Sequence, residues 1–241
     1  MSAPLVLPTD PRLHILFDLA AWAAAGLFAR FLYRWRLREA AEGVARSIGL
    51  GYVLALAAGV IAGAWLFGSL NTGLAVVPHP SHSVAGALAG GIVAVELYKL
   101  ARRISGSTGA FWVGPIALGI AVGRLGCLFS GLGDETYGTP TALPWAVDLG
   151  DGVPRHPVQL YESVAMVAFL GVYLAALKRR AAWSRERAFY LFVLFYAAQR
   201  FAWEFLKPYP RLAGPLDVFQ LLALAMIAYA LIYDARARRR G

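Results

Sequence analysis

Seven times along this chain a stretch of about 20 residues passes with almost no charge, near 13–33, 47–68, 84–101, 110–129, 158–177, 188–206 and 216–234. About 20 apolar residues of α-helix cross the hydrocarbon core of a bilayer. In lipid each backbone N–H and C=O must find its partner within the segment, so an unclosed chain spans only as helix. The expected fold is therefore an all-α integral membrane protein, a bundle of about seven transmembrane helices forming a single multi-pass domain over 1–241. Composition agrees: 59% of residues are hydrophobic, 15% are charged, and the mean hydropathy of +0.57 excludes a soluble or disordered chain. The single cysteine, Cys127, excludes intrachain disulfides and CxxC zinc sites. Small residues such as the run Gly86-Ala87-Leu88-Ala89-Gly90-Gly91 suit close helix contact.

Charge sets the expected orientation. Arg12 alone precedes the first apolar stretch, whereas Arg34, Arg36 and Arg38 follow it, the reverse of a signal peptide, so a retained helix is expected. Sorting Lys and Arg by alternate ends of the seven stretches puts 16 on one side, from Arg34 to Arg240. The other side holds 4: Arg12, Arg155, Lys207 and Arg211. Cationic loops stay in the cytoplasm, so the N-terminus is expected outside and the C-terminus in the cytoplasm. The net charge of +9 is explained by those loops on an anionic leaflet, without nucleic acid as a partner. Membrane lipids are the expected surroundings.

The longest polar segment, 130–157, falls on the outer side and is rich in Gly and Pro, which predicts turns or short strands. A loop of that length is often functional, and this one is expected to be ordered and to cover a site, with Trp145 as an interfacial anchor. Charges inside spans point to the site itself, because they are costly unless paired or facing a cavity. Arg200 and Glu204, four apart, share a helix face as a functional pair or a neutralised structural one. Arg124, between Gly123 and Gly126, can meet an anionic headgroup with both guanidinium and backbone, or can snorkel. In Arg155-His156-Pro157-Val158-Gln159-Leu160-Tyr161-Glu162, Pro157 suits a first helical turn and Gln159 and Glu162 share a face. His156 can act as a base or donor near neutral pH, or simply mark the helix entry. Glu96 reads as an interfacial pair with Lys99, and Cys127 as a buried, inert thiol. His79 and His82 have no acidic neighbour in sequence, so no metal site is expected.

Taken together and in this order, Gly123-Arg124-Leu125-Gly126, Tyr137-Gly138-Thr139-Pro140-Thr141, Leu143-Pro144-Trp145-Ala146-Val147, the 155–162 block and Arg200-Phe201-Ala202-Trp203-Glu204-Phe205 resemble the bacterial prolipoprotein diacylglyceryl transferase family. The resemblance implies a seven-helix enzyme of the bacterial cytoplasmic (inner) membrane with its N-terminus outside. The implied reaction moves the diacylglyceryl group of phosphatidylglycerol to the lipobox cysteine of a preprolipoprotein and releases glycerol phosphate, with no metal or organic cofactor. Matched motifs carry over Arg124, Arg200, Glu204 and His156 as catalytic residues. They carry over Gln159, Tyr161 and Glu162 as substrate contacts, to which the residues' own reading adds Gly123, Gly126 and Trp145. The chain departs from the pattern at Cys127, where the family commonly has Asn, and at Ala85-Gly86-Ala87, where the family bears a histidine and this chain has His82 three residues earlier. A paralogue using the same lipid with another acceptor stays open on that ground. A lipid or small-solute transporter, with the same charges lining a path, is the reading from a different class.

Overall fold

The structure is a computed structural model describing residues 5–75 and 77–239. Arg240 of the charge count lies outside the described residues. The first helix, α1 (Arg12–Leu32), begins just after Pro11, and Asp10 Oδ1 accepts the Arg12 N–H at 2.8 Å. The sequence places its end near 33, but the helix runs on through a π-helical stretch, Tyr33–Leu37, into α2 (Arg38–Ser47). No Gly or Pro interrupts 27–42, and Tyr33 and Arg38 both bond Glu42 at 2.9 Å, tying the wider turn to the next. Gly49, in extended conformation, precedes α3 (Leu50–Gly73). Its hairpin partner α4 (Val84–Arg102) opens at Ser83, whose hydroxyl accepts the Gly86 N–H at 2.9 Å.

The two helices of that hairpin cross at Gly59 and Gly63 on one side and Gly86 and Gly90 on the other. A Cβ at Gly90 would overlap the Gly59 carbonyl, so the small-residue stripe read from sequence is a contact surface. α5 (Val113–Ser130) carries Pro115 in its first turn and packs along α1. α6 (Val158–Lys178), a single turn α7 (Trp183–Glu186), α8 (Ala188–Glu204) and α9 (Val218–Arg238) complete the bundle. Asp217 and Gln220 form a reciprocal capping box at the start of α9. Val113, Met166, Tyr173, Phe192, Tyr196, Ala197 and Ala223 form the innermost core, with α8 between α6 and α9.

Outside, the arrangement is the inverse of a soluble protein. Leu16, Leu19, Trp22, Leu54, Ile61, Val164 and Val172 all stand open on the helix surfaces. Among the described residues six helical segments are long and apolar enough to cross a membrane: 12–46, 50–73, 84–102, 110–134, 158–178 and 218–238. The sixth apolar stretch of the sequence, 188–206, becomes α8, which at 17 residues is shorter than these.

At the end of the bundle where α1 begins and α5 stops, the 130–157 segment makes a 3-10 turn (Gly131–Asp134) and two short strands. β2 (Val147–Asp148) pairs parallel with β1 (Leu5–Val6) and antiparallel with β3 (Pro154–Arg155). Turns and strands are expected there from sequence; pairing with the N-terminal segment is not. Leu7, Leu128, Leu132, Val147 and Leu149 form a small apolar cluster fastening this cap to the end of α5. Asp148 accepts from the N–H groups of Gly150, Asp151 and Gly152 at 2.8, 3.1 and 3.0 Å, and Arg155 grips Asp151 with two bonds of 2.6 and 2.7 Å.

Candidate functional site

The same end of the bundle buries a cluster of charges. α5 contributes Arg124 from its last two turns, α6 contributes Glu162 from its second, and α8 contributes Arg200 and Glu204 from its last. Glu162 is the shared carboxylate: its Oε2 lies 2.6 Å from Arg124 Nε, and its Oε1 lies 2.7 Å from Arg200 Nη1. Arg200 Nε pairs with Glu204 Oε1 at 2.5 Å, as their i, i+4 spacing predicts, and its guanidinium lies 5.1 Å over the Phe219 ring. Lys207 completes the cluster, with Nζ 2.8 Å from Glu162 and 3.2 Å from Glu204. The whole group is buried; Glu204 and Lys207 have no exposed surface at all. Tyr196 Oη and Glu204 Oε2 are buried there with no hydrogen-bond partner among the described residues.

Lys207 extends the sequence reading, which counts it only among the loop cations of one side. The chain turns inward after α8 before Pro208, and the ammonium enters the cluster. Burial and the Arg200 guanidinium push its pKa down, while Glu162 and Glu204 push it back up. Glu204 and Lys207 stand three apart, so the pairing leaves a local trace in the sequence. Tyr196 and Tyr209, the latter with its ring 5.7 Å from the Lys207 ammonium, carry no such trace.

A cavity of about 560 Å³ opens beside the cluster, lined by Arg124, Arg200, Cys127, Tyr209, His14 and Asp134 among others. Cys127, read from sequence as a buried, inert thiol, is half-buried and faces this cavity, 3.8 Å from Arg124 Nη1. His79 and His82 line the cavity too. His79 has no acidic neighbour in sequence but gains one in space, Glu135 at 3.1 Å. Glu96 pairs with Lys99 at 2.9 Å as expected, and also accepts from Tyr229 at 2.9 Å.

Of the residues singled out from sequence, Arg124, Glu162, Arg200 and Glu204 meet directly. Gln159 is buried and donates to Thr136 Oγ1 at 3.3 Å. Tyr161 and Trp145 form a neighbouring aromatic group instead of lining the cavity: Trp145 Nε1 donates to Tyr161 Oη at 2.8 Å, and Tyr161 packs 5.3 Å from Trp203. His156 lies with them, edge-on to Tyr161 at 6.3 Å, with Nδ1 buried and unpaired. Gly123 has open space around it. Gly126, expected to admit a headgroup, faces α1, where a Cβ would sit 2.5 Å from Phe17 Cβ; its service is helix packing.

A bundle of helices with apolar outer faces and two arginines joined through one buried carboxylate beside a cavity defines a class: a multi-pass helical membrane protein with an ionic cluster inside it. A family model described as prolipoprotein diacylglyceryl transferase matches residues 20–235, and the chain belongs to that family. Proteins named phosphatidylglycerol--prolipoprotein diacylglyceryl transferase are among its relatives. The one from Bordetella parapertussis is 36% identical over 157 residues, covering 60% of this chain and 57% of the relative. That of Geobacter sulfurreducens is 36% identical over 169 residues, covering 66% and 62%. That of Nitratidesulfovibrio vulgaris is 37% identical over 158 residues, covering 61% and 57%. The chain thus spans 57 to 62% of the length of these curated relatives. No solved structure matches it.

Proposed function

We propose that this chain transfers the diacylglyceryl group of phosphatidylglycerol to the lipobox cysteine of a preprolipoprotein, in the bacterial cytoplasmic membrane. The observation that carries this reading is the charge balance of the buried cluster. Arg124, Arg200 and Lys207 stand against Glu162 and Glu204, one cationic side chain more than there are carboxylates, and both arginines line the cavity. An unbalanced buried charge costs several kcal/mol, and a phosphodiester headgroup carries the single negative charge that offsets it. Family membership and the names of the relatives support the same lipid and the same acceptor class.

In the reaction the acceptor sulfur forms an S–C bond to the glyceryl carbon bearing the phosphate. The C–O bond to that phosphate breaks, its electron pair leaves with glycerol phosphate, and the thiol proton is given up. Charge develops on the departing oxygen, where the guanidinium donors of Arg124 and Arg200, already fixed by Glu162 and Glu204, are aimed. Preorganisation by carboxylates is what a site needs if its donors are not to reorient during the step.

All seven apolar helices span, α8 included, because a helix enclosed by its neighbours need not match the full thickness of the lipid. The N-terminus and the 130–157 segment face outward, supported by the 16 to 4 division of cations. That segment covers the site; Trp145, Tyr161 and His156 frame the approach of substrate from its rim, and Gln159, buried beneath, holds Thr136 of the segment.

The test is purified protein in mixed vesicles with headgroup-labelled phosphatidylglycerol and a lipobox peptide. Labelled glycerol phosphate and thioether-linked peptide are expected in equal amounts. Glycerol phosphate released only when a different thiol is supplied identifies the other-acceptor paralogue. No release with any thiol refutes the reading.

A further inference from the structure

A thiol at neutral pH is only a few per cent thiolate, so its alkylation calls for a base, and four histidines are candidates in this chain. His156 lies outside the cavity. His79 has both ring nitrogens engaged, Nε2 by Glu135 at 3.1 Å and Nδ1 by the Val77 carbonyl at 3.2 Å. His82 leans on Trp65, ring centroids 5.9 Å apart.

His14 differs from all three. It stands in the first turn of α1, lines the cavity that holds Arg124 and Arg200, and places Nδ1 2.8 Å from Asp134 Oδ1. The Asp134 carboxylate is itself held, since Thr136 Oγ1 donates to its other oxygen at 2.5 Å, and Gln159 of α6 reaches that hydroxyl at 3.3 Å. A carboxylate at 2.8 Å on one ring nitrogen fixes tautomer and orientation, and the other, with Asp18 3.5 Å away and beyond a good hydrogen bond, is left to accept a proton. The remaining charged or titratable neighbours of His14 are Asp18 on its own helix, 3.5 Å from Nε2, and Arg124 and Cys127 on α5.

We propose that His14 takes the proton of the acceptor thiol, with Asp134 as its positioning residue. The proposal rests on the transferase reading above. The S–H proton passes to His14 Nε2 as the sulfur lone pair forms the S–C bond. The C–O electron pair departs with the phosphate held by Arg124 and Arg200, and the imidazolium afterwards returns its proton to water. His14, Cys127 and Asp134 also offer donor atoms within 4.8 Å of one another, a set that suits zinc. A 2.8 Å contact between His14 and Asp134 is a hydrogen-bond distance, and the Arg124 guanidinium beside Cys127 opposes a second cation, so the base reading is favoured.

The experiment compares the native chain, His14→Gln and Asp134→Asn in vesicles of phosphatidylglycerol with a lipobox peptide, from pH 7 to 9.5. Binding of phosphatidylglycerol is measured in parallel as a check on folding. At pH 7 His14→Gln should lose on the order of 10²-fold in transfer rate. That deficit should shrink roughly 30-fold by pH 9.5, as a peptide thiol of ordinary pKa about 8.5 ionises unaided. Asp134→Asn keeps the imidazole and should show a smaller deficit with the same recovery. A native rate at pH 7, or a deficit unchanged across the range, overturns the proposal. Loss of native transfer to a chelator, restored by one zinc ion per chain, overturns it in favour of a metal site. If the native chain releases no glycerol phosphate at any pH, the transferase reading fails first and this one with it.

Discussion

Replacing Arg200 with lysine keeps the charge of the cluster and removes its geometry. Arg200 spans two carboxylates, Glu162 through Nη1 at 2.7 Å and Glu204 through Nε at 2.5 Å, while the face of the guanidinium lies 5.1 Å over Phe219. A lysine ammonium is a point charge on a flexible stem and holds one of those carboxylates in good geometry, forfeiting the other. The Nη1 contact with Glu162 is a charge-assisted hydrogen bond, which contributes about 1.5–3 kcal/mol net, so an Arg200→Lys variant that forfeits it should lose about 2 kcal/mol of stability. Losing a fixed donor to a developing anion costs on the order of 10²-fold in rate, equivalent to about 2.7 kcal/mol of activation free energy. Arg124 makes a useful comparison, since among the described residues Glu162, at 2.6 Å, is its one carboxylate partner. Arg124→Lys should therefore show the same order of loss in turnover with a smaller loss of stability. Release of labelled glycerol phosphate measures the first quantity, and thermal unfolding in detergent the second. Near-native turnover in both variants, with stability lost only in Arg200→Lys, would refute the phosphate clamp and leave Arg200 and Glu204 a structural pair.

At the α3–α4 crossing, Gly90→Val should cost about 1–3 kcal/mol or more, because its side chain meets the Gly59 backbone and forces the helices apart; thermal unfolding reads it, and an unchanged midpoint would contradict the close crossing. In the 130–157 segment, Asp148→Ala leaves three loop N–H groups without their acceptor, so limited proteolysis at 149–153 should accelerate while the helices stay intact. For orientation, Ala142→Cys should react with an impermeant thiol reagent added outside intact spheroplasts, and Arg179→Cys only after permeabilisation. The reverse labelling pattern would invert the assigned topology.

The helices were legible because lipid enforces a rule that acts residue by residue. A run of apolar side chains about 20 long has to be helix, so 84–101 and 158–177 in the sequence become Val84–Arg102 and Val158–Lys178 in the structure. The end of the first helix was not legible, since the helix runs on past its apolar stretch through the charged segment 33–47, where hydropathy gives no boundary. In the site, Arg200 and Glu204 announce their pairing by spacing, and the motifs carry Arg124 and Glu162. That a single carboxylate joins both arginines, that Lys207 turns in to share it, and that Gly126 serves Phe17 instead of a ligand were not written locally.

By itself, then, the sequence determined that the chain is a helical membrane bundle, and which charged side chains had to find partners inside it. Helix formation and the cost of bare charge in lipid depend on a residue and its near neighbours along the chain, over one or two turns. Tertiary structure alone decided which partners those were. His14 and Asp134 are 120 positions apart, Arg124 and Arg200 are 76 apart, and Leu5–Val6 pairs with Val147–Asp148. Such encounters depend on how helices cross and where their ends fall, which is set by the combined packing of many small and large side chains and leaves no periodicity at either partner.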